Sequence, residues 1–367
     1  MLLPTHNRAD VLPYAIRSVQ AQSIQDVEIL IMGDGCTDDT AAVVASFMEA
    51  DPRIRWFDLP KAPSLGYANR NIVLKQARGE LIAFMAHDDI ASSDHLAILV
   101  KALEDPRIQI AHTGSAWIGV DGTVVPTLFH LQDARIRKAF LELQSKNRIP
   151  ATSYLHRRGV FERAGYYHET IAGAGDCDLW NRIIQAHGEE SLKVIGTITA
   201  FHFRAVWRKQ NLVAPDNESI WKYLHESPGR LPAVLKVEIR DGETEQAAFW
   251  RFLTSAPDAI SELRDGLNLA MQSLGWELEL AAGEQVPPSS PGYVSAVQKK
   301  LARQTERAER LRQELDRTKE KLHALKEKIR QLEQQPRGRF RWPIFQKRNQ
   351  PTPLLPDADP PSTTIPE

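Results

Sequence analysis

The chain has 367 residues, long enough for one large domain with extensions or for two domains, with a sizeable core in either case. Its 42% hydrophobic and 25% charged residues are those of an ordinary water-soluble fold, and a formal net charge of −1 gives no global reason to expect nucleic acid or an anionic membrane as partner. Two cysteines, Cys36 and Cys177, exclude a disulfide framework. No apolar run is long enough to span a bilayer and "MLLPTHNRAD" is too short for a signal peptide, so a cytoplasmic protein is expected.

Residues 1 to about 205 alternate strand-like and helix-like stretches. "MLLPTHNR" is the stump of a strand entering a loop, and Val11 to Gln22 places Val11, Leu12, Ala15, Ile16 and Val19 at helical spacing. "VEILIM" is a buried strand ending in "GDG", and "DDTAAVVASFMEA" a helix opened by acidic residues. "IRWFDL" is a strand, "GYANRNIVLKQARG" a helix closed by Gly79, and "ELIAFMAHDD" a strand with carboxylates at its end. Such alternation predicts crossover units and a mostly parallel sheet, whose ligands bind at the carboxyl ends of the strands.

After residue 110 the pattern is mixed. "IAHTGSAWIGVDGTVV" predicts a hairpin around Asp121 and Gly122, "SYLHRRGVFERAGYYHE" a strand, a short helix and a turn. "GDCDLWNRIIQAHG" predicts a helix with Leu179, Ile183 and Ile184 inward and Gly188 at its end, and "LKVIGTITAFHFRA" a last strand. Residues 206–290 read as a helical extension without a chemical motif. From Val294 the positions Val297, Leu301, Gln304, Ala308, Leu311, Leu315, Thr318, Leu322, Leu325, Ile329 and Leu332 step by three and four, a heptad seam over 294–335 that predicts a homodimer. The alternative is a long helix lying back on the domain. Residues 337–348, "RGRFRWPIFQKR", hold five basic residues, three aromatics and no acid, a candidate for peripheral contact with a membrane or a protein. The Pro-rich remainder, to residue 367, reads as a disordered tail.

Three acidic clusters stand at the predicted strand and helix ends. In "GDGCTDDT", Asp38, Asp39 or Thr40 suits helix capping. In "AHDDIASSDHL", Ser93 and Asp94 already offer a cap, which leaves Asp88 and Asp89 surplus. Adjacent carboxylates repel and are kept ionised most easily by a hard cation such as Mg²⁺ or Mn²⁺, whose shell substrate phosphates complete. That chemistry implies a nucleotide diphosphate. In "GAGDCDLW", Gly173 and Gly175 permit close approach, Asp178 suits capping, and Asp176 is the candidate base for a sugar hydroxyl.

Together, "PTHNRADVLPYAIRSVQAQSIQDVEILIMGDGCTDDT", "GYANRNIVLKQARGELIAFMAHDD" and "FERAGYYHETIAGAGDCDLWNRI" resemble, in order, the motifs of the inverting glycosyltransferase family 2. The resemblance covers residues 1–205 and implies an α/β domain of GT-A type. It further implies transfer of a sugar from a nucleotide-diphosphate sugar, foremost a UDP-sugar, to an acceptor hydroxyl in polysaccharide or glycoconjugate synthesis. On it, Pro4, Thr5 and Asp34 line the base pocket and Arg70 lies near the donor. Asp88 sits by ribose and diphosphate, Asp89 ligates the metal with His202 close by, and Asp176 deprotonates the acceptor. Gly33 and Ala86 stand where the family often has acids, and His87 and His202 each have an ordinary structural alternative. Only three residues precede Pro4, so either the true start lies upstream or the first strand is short. The rival expectation is a weakened nucleotide-sugar-binding protein or a coiled-coil scaffold.

Overall fold

The computed structural model describes residues 1–283 except 128–130, 132–133, 143–148, 172–173 and 204–231. The chain divides into two units, Met1–Glu284 and Gln285–Glu367. The predicted coiled coil, basic aromatic segment and tail fall in the second and lie outside the described residues.

The first half alternates as the sequence predicts: β1 (Leu2–Thr5), α1 (Leu12–Gln20), β2 (Ile29–Asp34), α2 (Thr40–Ala50), β3 (Ile54–Leu59), α3 (Tyr67–Leu74), β4 (Leu81–Ala83). Strands β1, β2 and β3 pair in parallel, with Thr5 opposite Gly33 and Gly33 opposite Asp58. A parallel bridge between Leu2 and Phe84 joins β1 to the chain leaving β4. Every residue of β2 is buried, because helices cover both faces of the sheet. Its side chains alternate: Leu30 and Met32 enter one core with Trp180 and Ile183, Ile29 and Ile31 the other with Leu12 and Ile16.

Helix α3 stops well before Gly79. Its cap is Lys75, and the Glu28 carboxylate then accepts the N–H groups of Arg78 and Gly79, turning the chain into β4. The helix is over before Gly79, and Glu28 fixes the turn that follows it.

The second half adds β5 (Ile90–Ala91), α4 (His95–Ala102), β6 (Ile110–Ile118), β7 (Val124–Pro126), α5 (Ala134–Leu141), β8 (Tyr154–Arg157), α6 (Phe161–Ala164), α7 (Gly175–His187) and β9 (Leu192–Phe203). The order is β4-β8-β6-β9-β5, with β7 also on β6. Only β6 and β9 are parallel there, so the sheet is parallel at one end and mixed at the other. The β6–β7 hairpin turns at Gly122, φ +80°, as "VDG" predicts. Leu179, Ile183 and Ile184 of α7 face the core, and Gly188 ends it at φ +88°.

Beyond residue 232, α8 (Glu245–Leu253) and α9 (Ala259–Gly283) belong to the same unit as the sheet. Leu235, Phe249, Leu263 and Leu267 pack on Ile90, Phe201 and Phe203. Among the described residues no helix is long and apolar enough to cross a membrane.

Candidate active site

The carboxyl ends of β1 and β2 form the first part of the site. Asp34, 4% exposed, receives the Ala62 N–H (2.8 Å) and the Asn69 amide (2.7 Å) on Oδ1 and the Lys61 ammonium (2.5 Å) on Oδ2. Burial works against its charge, but the Ala62 N–H, Lys61 and Asn69 outweigh it and hold the carboxyl below the usual carboxylate range. These donors take three of about four acceptor positions on a carboxylate. Gly66, φ +73°, lets the loop close over Asp34: a Cβ there would stand 2.8 Å from Oδ2. Pro4 and Thr5 end β1 beside this strand; the Thr5 hydroxyl is buried without a hydrogen-bond partner among the described residues. Gly33 is required by packing, since a Cβ would meet the Trp56 ring at 2.3 Å. An acid has no room at that position.

The cap in "CTDDT" is Asp38 rather than Asp39. Its Oδ1 accepts from Thr40 N (3.1 Å) and Oγ (2.5 Å), its Oδ2 from Ala9 N. Cys36 approaches the Thr5 carbonyl, while Cys177 is buried in the core, where burial pushes its thiol up to about 12.

The second part lies past β4. Asp89, 1% exposed, accepts from the Thr152 hydroxyl on Oδ2 (2.5 Å) and from His202 Nδ1 on Oδ1 (2.7 Å). An ionised carboxylate only accepts, so Nδ1 carries the proton and the ring's orientation is set by Asp89. Trp117 stands edge-on to His202, 4.5 Å between ring centres. Asp88 faces the Arg8 guanidinium at 3.6 Å, and Arg8 is held in turn by Asp10. His87 Nε2 is 3.9 Å from Asp88, and burial keeps that imidazole below its ordinary value. Asp94 does not cap α4 with its side chain: its oxygens are taken by Arg264 and Ser92.

The third part is the start of α7. Asp176 Oδ1 accepts from Arg70 Nη1 (2.9 Å) and Tyr167 OH (2.7 Å), and no described residue bonds its Oδ2. Arg70 lies beside the stacked Tyr67 and Tyr167 rings, 5.0 and 5.5 Å from their centres. Burial opposes its charge, but Asp176, Tyr167 and Tyr67 together outweigh it and the guanidinium keeps its proton. Burial, then Asp176, drives the Tyr167 phenol well above its usual value, so it donates. Gly175 N donates to Tyr67 OH, and a Cβ on Gly175 would strike that ring at 2.4 Å. Trp180 is fully buried, stacked on Tyr154 at 3.6 Å, a packing residue as its sequence context suggests.

Helix α3 ties the first part to the third. Asn69 reaches Asp34, Arg70 reaches Asp176, and Asn71 bonds both the N–H and the carbonyl of Tyr167. Of these, sequence reasoning singled out Arg70 alone. Arg8, Asn69, Asn71 and Tyr167 stood in the quoted motifs; Lys61 and Thr152 carried no local signal, because only folding brings them to the carboxylates.

No group of three or more His, Cys, Asp or Glu among the described residues is placed to hold a metal by itself. The donor chemistry suits an ion that arrives with a diphosphate and needs one carboxylate and an oriented imidazole from the protein. Asp88 and His202 fit that demand; Asp89 fits as the group that aims His202.

A parallel half, a mixed half and carboxylates at the strand ends between them define an α/β domain of GT-A type. Residues 1–163 match the family described as Glycosyl transferase family 2. An uncharacterized glycosyltransferase of Rickettsia felis is 34% identical over 180 residues, 49% of this chain and 29% of that one. The GalNAc(5)-diNAcBac-PP-undecaprenol beta-1,3-glucosyltransferase of Campylobacter jejuni is 36% identical over 101 residues, 28% of this chain and 33% of that one. The chain thus spans no more than 33% of either relative. Among solved structures, S. aureus TarS 1-349 in complex with UDP-GlcNAc is similar over 77% of this chain and 76% of that one, at TM-score 0.46 and 16% identity.

Proposed function

We propose that the chain transfers a sugar from a nucleotide-diphosphate sugar, foremost a UDP-sugar, to an acceptor hydroxyl with inversion, in polysaccharide or glycoconjugate synthesis. The observation that carries this reading is the asymmetry of Asp176: Oδ1 is fixed by Arg70 and Tyr167 while Oδ2 has no described partner and the side chain is 21% exposed. A carboxylate so held is aimed, with one oxygen left to take a proton.

Asp34 accepts from the base edge, with Pro4 and Thr5 beside it, and Lys61 donates to a neighbouring base carbonyl. Arg70 stands near the donor sugar and holds Asp176. Asp176 Oδ2 takes the proton of the acceptor hydroxyl as that oxygen forms its bond to the anomeric carbon. The bond from that carbon to the diphosphate oxygen breaks, and its electron pair leaves with the diphosphate. A single displacement of this kind inverts the centre and needs no covalent intermediate. Asp88 and His202 would hold Mg²⁺ or Mn²⁺, with Asp89 setting the imidazole; the ion, when bound, neutralises charge on the diphosphate. Arg8 beside Asp88 adds a cation for the same phosphates.

The test is turnover of a panel of UDP-, GDP- and dTDP-sugars with Mn²⁺, repeated with Asp176→Asn and Asp88→Asn. Both variants are expected to lose at least about a hundredfold in turnover. Absence of cation-dependent turnover or binding with every donor would refute the reading.

A further inference from the structure

Two polar side chains from the helices beyond residue 232, outside the family match, reach the segments that carry Asp88, Asp89 and His202. Gln246 of α8, 4% exposed, donates Nε2 to the main-chain carbonyl of Asp88 at 3.2 Å. Arg264 of α9 donates Nε to the carbonyl of Ile198 on β9 (2.8 Å). Its Nη1 and Nη2 bond Asp94 (2.7 and 2.8 Å), and Nη2 also reaches Ser92 Oγ (2.9 Å). One rigid fork therefore fixes β9, which carries His202, against the turn that follows Asp88 and Asp89. Phe249 packs on Phe201 and Phe203, the residues on either side of His202, with ring centres 4.8 and 5.7 Å apart.

The apolar contacts alone would dock these helices. The polar ones have a different target: backbone and side-chain atoms whose positions set where Asp88 stands relative to His202. A guanidinium that bonds three groups on two segments resists any change in their separation, and Gln246 fixes the peptide from which the Asp88 side chain projects. We infer that Gln246 and Arg264 are positioning residues for the diphosphate end of the donor site, so that the site is complete only with the helical extension in place. The inference rests on the proposed donor site and adds a function for residues 232–270 within it.

The experiment measures the affinities of the full chain for UDP and for uridine, each with Mn²⁺, in wild type, Gln246→Leu and Arg264→Lys, together with melting temperatures. Gln246→Leu keeps the size and removes the donor; Arg264→Lys keeps the charge and removes the fork. Uridine reads the Asp34 end alone, so the ratio of UDP to uridine affinity isolates the diphosphate end. That ratio is expected to fall about tenfold in Gln246→Leu and about threefold or more in Arg264→Lys, consistent with loss of one directed hydrogen bond. Phe249→Leu, a packing change on the same helix, is expected to lower the melting temperature without moving the ratio. An unchanged ratio in both polar variants, or an equal fall in Phe249→Leu, overturns the inference while leaving the donor site standing. A wild type that binds neither UDP, GDP nor dTDP overturns both.

Discussion

Arg70→Met tests whether the cation beside the stacked tyrosines aims Asp176, the proposed base. Methionine keeps much of the length and the apolar contact with Tyr67 and Tyr167 and removes the charge. The ion pair with Asp176 spans 2.9 Å, with side chains 13% and 21% exposed. Breaking a fully buried pair costs about 3–5 kcal/mol, and partial exposure reduces that to about 2–3 kcal/mol. Losing the two cation–ring contacts removes about 0.5–1 kcal/mol each, partly offset by thioether–ring contact. The net is about 3 kcal/mol, which at about 2–4 °C per kcal/mol for a domain of this size lowers the melting temperature by about 6–12 °C. Asp176 is then held by Tyr167 alone, and displacement of a reacting group by about 1 Å costs roughly a hundredfold in turnover. Arg70→Lys, with the charge but no planar fork, is expected to fall between. Thermal melts and donor turnover at saturating UDP-sugar and Mn²⁺ are the assays. If Arg70→Met melts lower yet turns over within about threefold of wild type while Asp176→Asn is inactive, the cation does not orient Asp176.

Three further outcomes follow from the same structure. Gly66→Ala places a Cβ 2.8 Å from Asp34 Oδ2 at φ +73°, which costs about 1–2 kcal/mol in backbone strain and displaces the base acceptor; uridine affinity should fall, whereas Gly159→Ala, with nothing within 4 Å, should be neutral by calorimetry. His95 and His156 are wholly buried, and burial pushes both down to about 4. The unfolded chain binds protons at these positions below about pH 6.5 and the folded chain does not until about pH 4, so stability drops as pH falls through that window, at up to about 2.7 kcal/mol per pH unit for two protons. Urea midpoints at pH 7, 6 and 5 check this, and a flat series from 7 to 5 would contradict it. Deletion of residues 294–335 should convert a dimer to a monomer in light scattering; the same mass before and after would exclude the heptad seam as the dimer contact.

How much of the site was legible varied with how local its parts are. Asp34, Asp88, Asp89 and Asp176 were readable because each stands at the end of a periodic run, and periodicity reports which end of a strand or helix a residue occupies. Their partners were not. Asp94 looked like a cap because Ser-Ser-Asp before an apolar run is a local signature, yet Arg264, 170 residues later, takes its carboxylate and holds it down to about 2. Asp89 looked like a bare metal ligand, and Thr152 and His202 turn out to occupy both its oxygens. Gly33 looked like a missing acid, and the Trp56 ring fills the space an acid would need.

The sequence by itself determined the order of strands and helices, the burial of β2 on both faces, the hairpin at Gly122 and the inward face of α7. These depend on spacing within a few residues, where backbone geometry leaves few choices. The tertiary structure alone decided that β4 through β9 form a mixed sheet, that α3 ends at Leu74 with Glu28 holding the turn before β4, and that three successive residues of α3 join Asp34 to the Asp176 cluster. Those outcomes depend on pairings between residues about 20 to 200 positions apart, and a charge or an amide finds its partner only once hydrophobic burial has brought the two segments together.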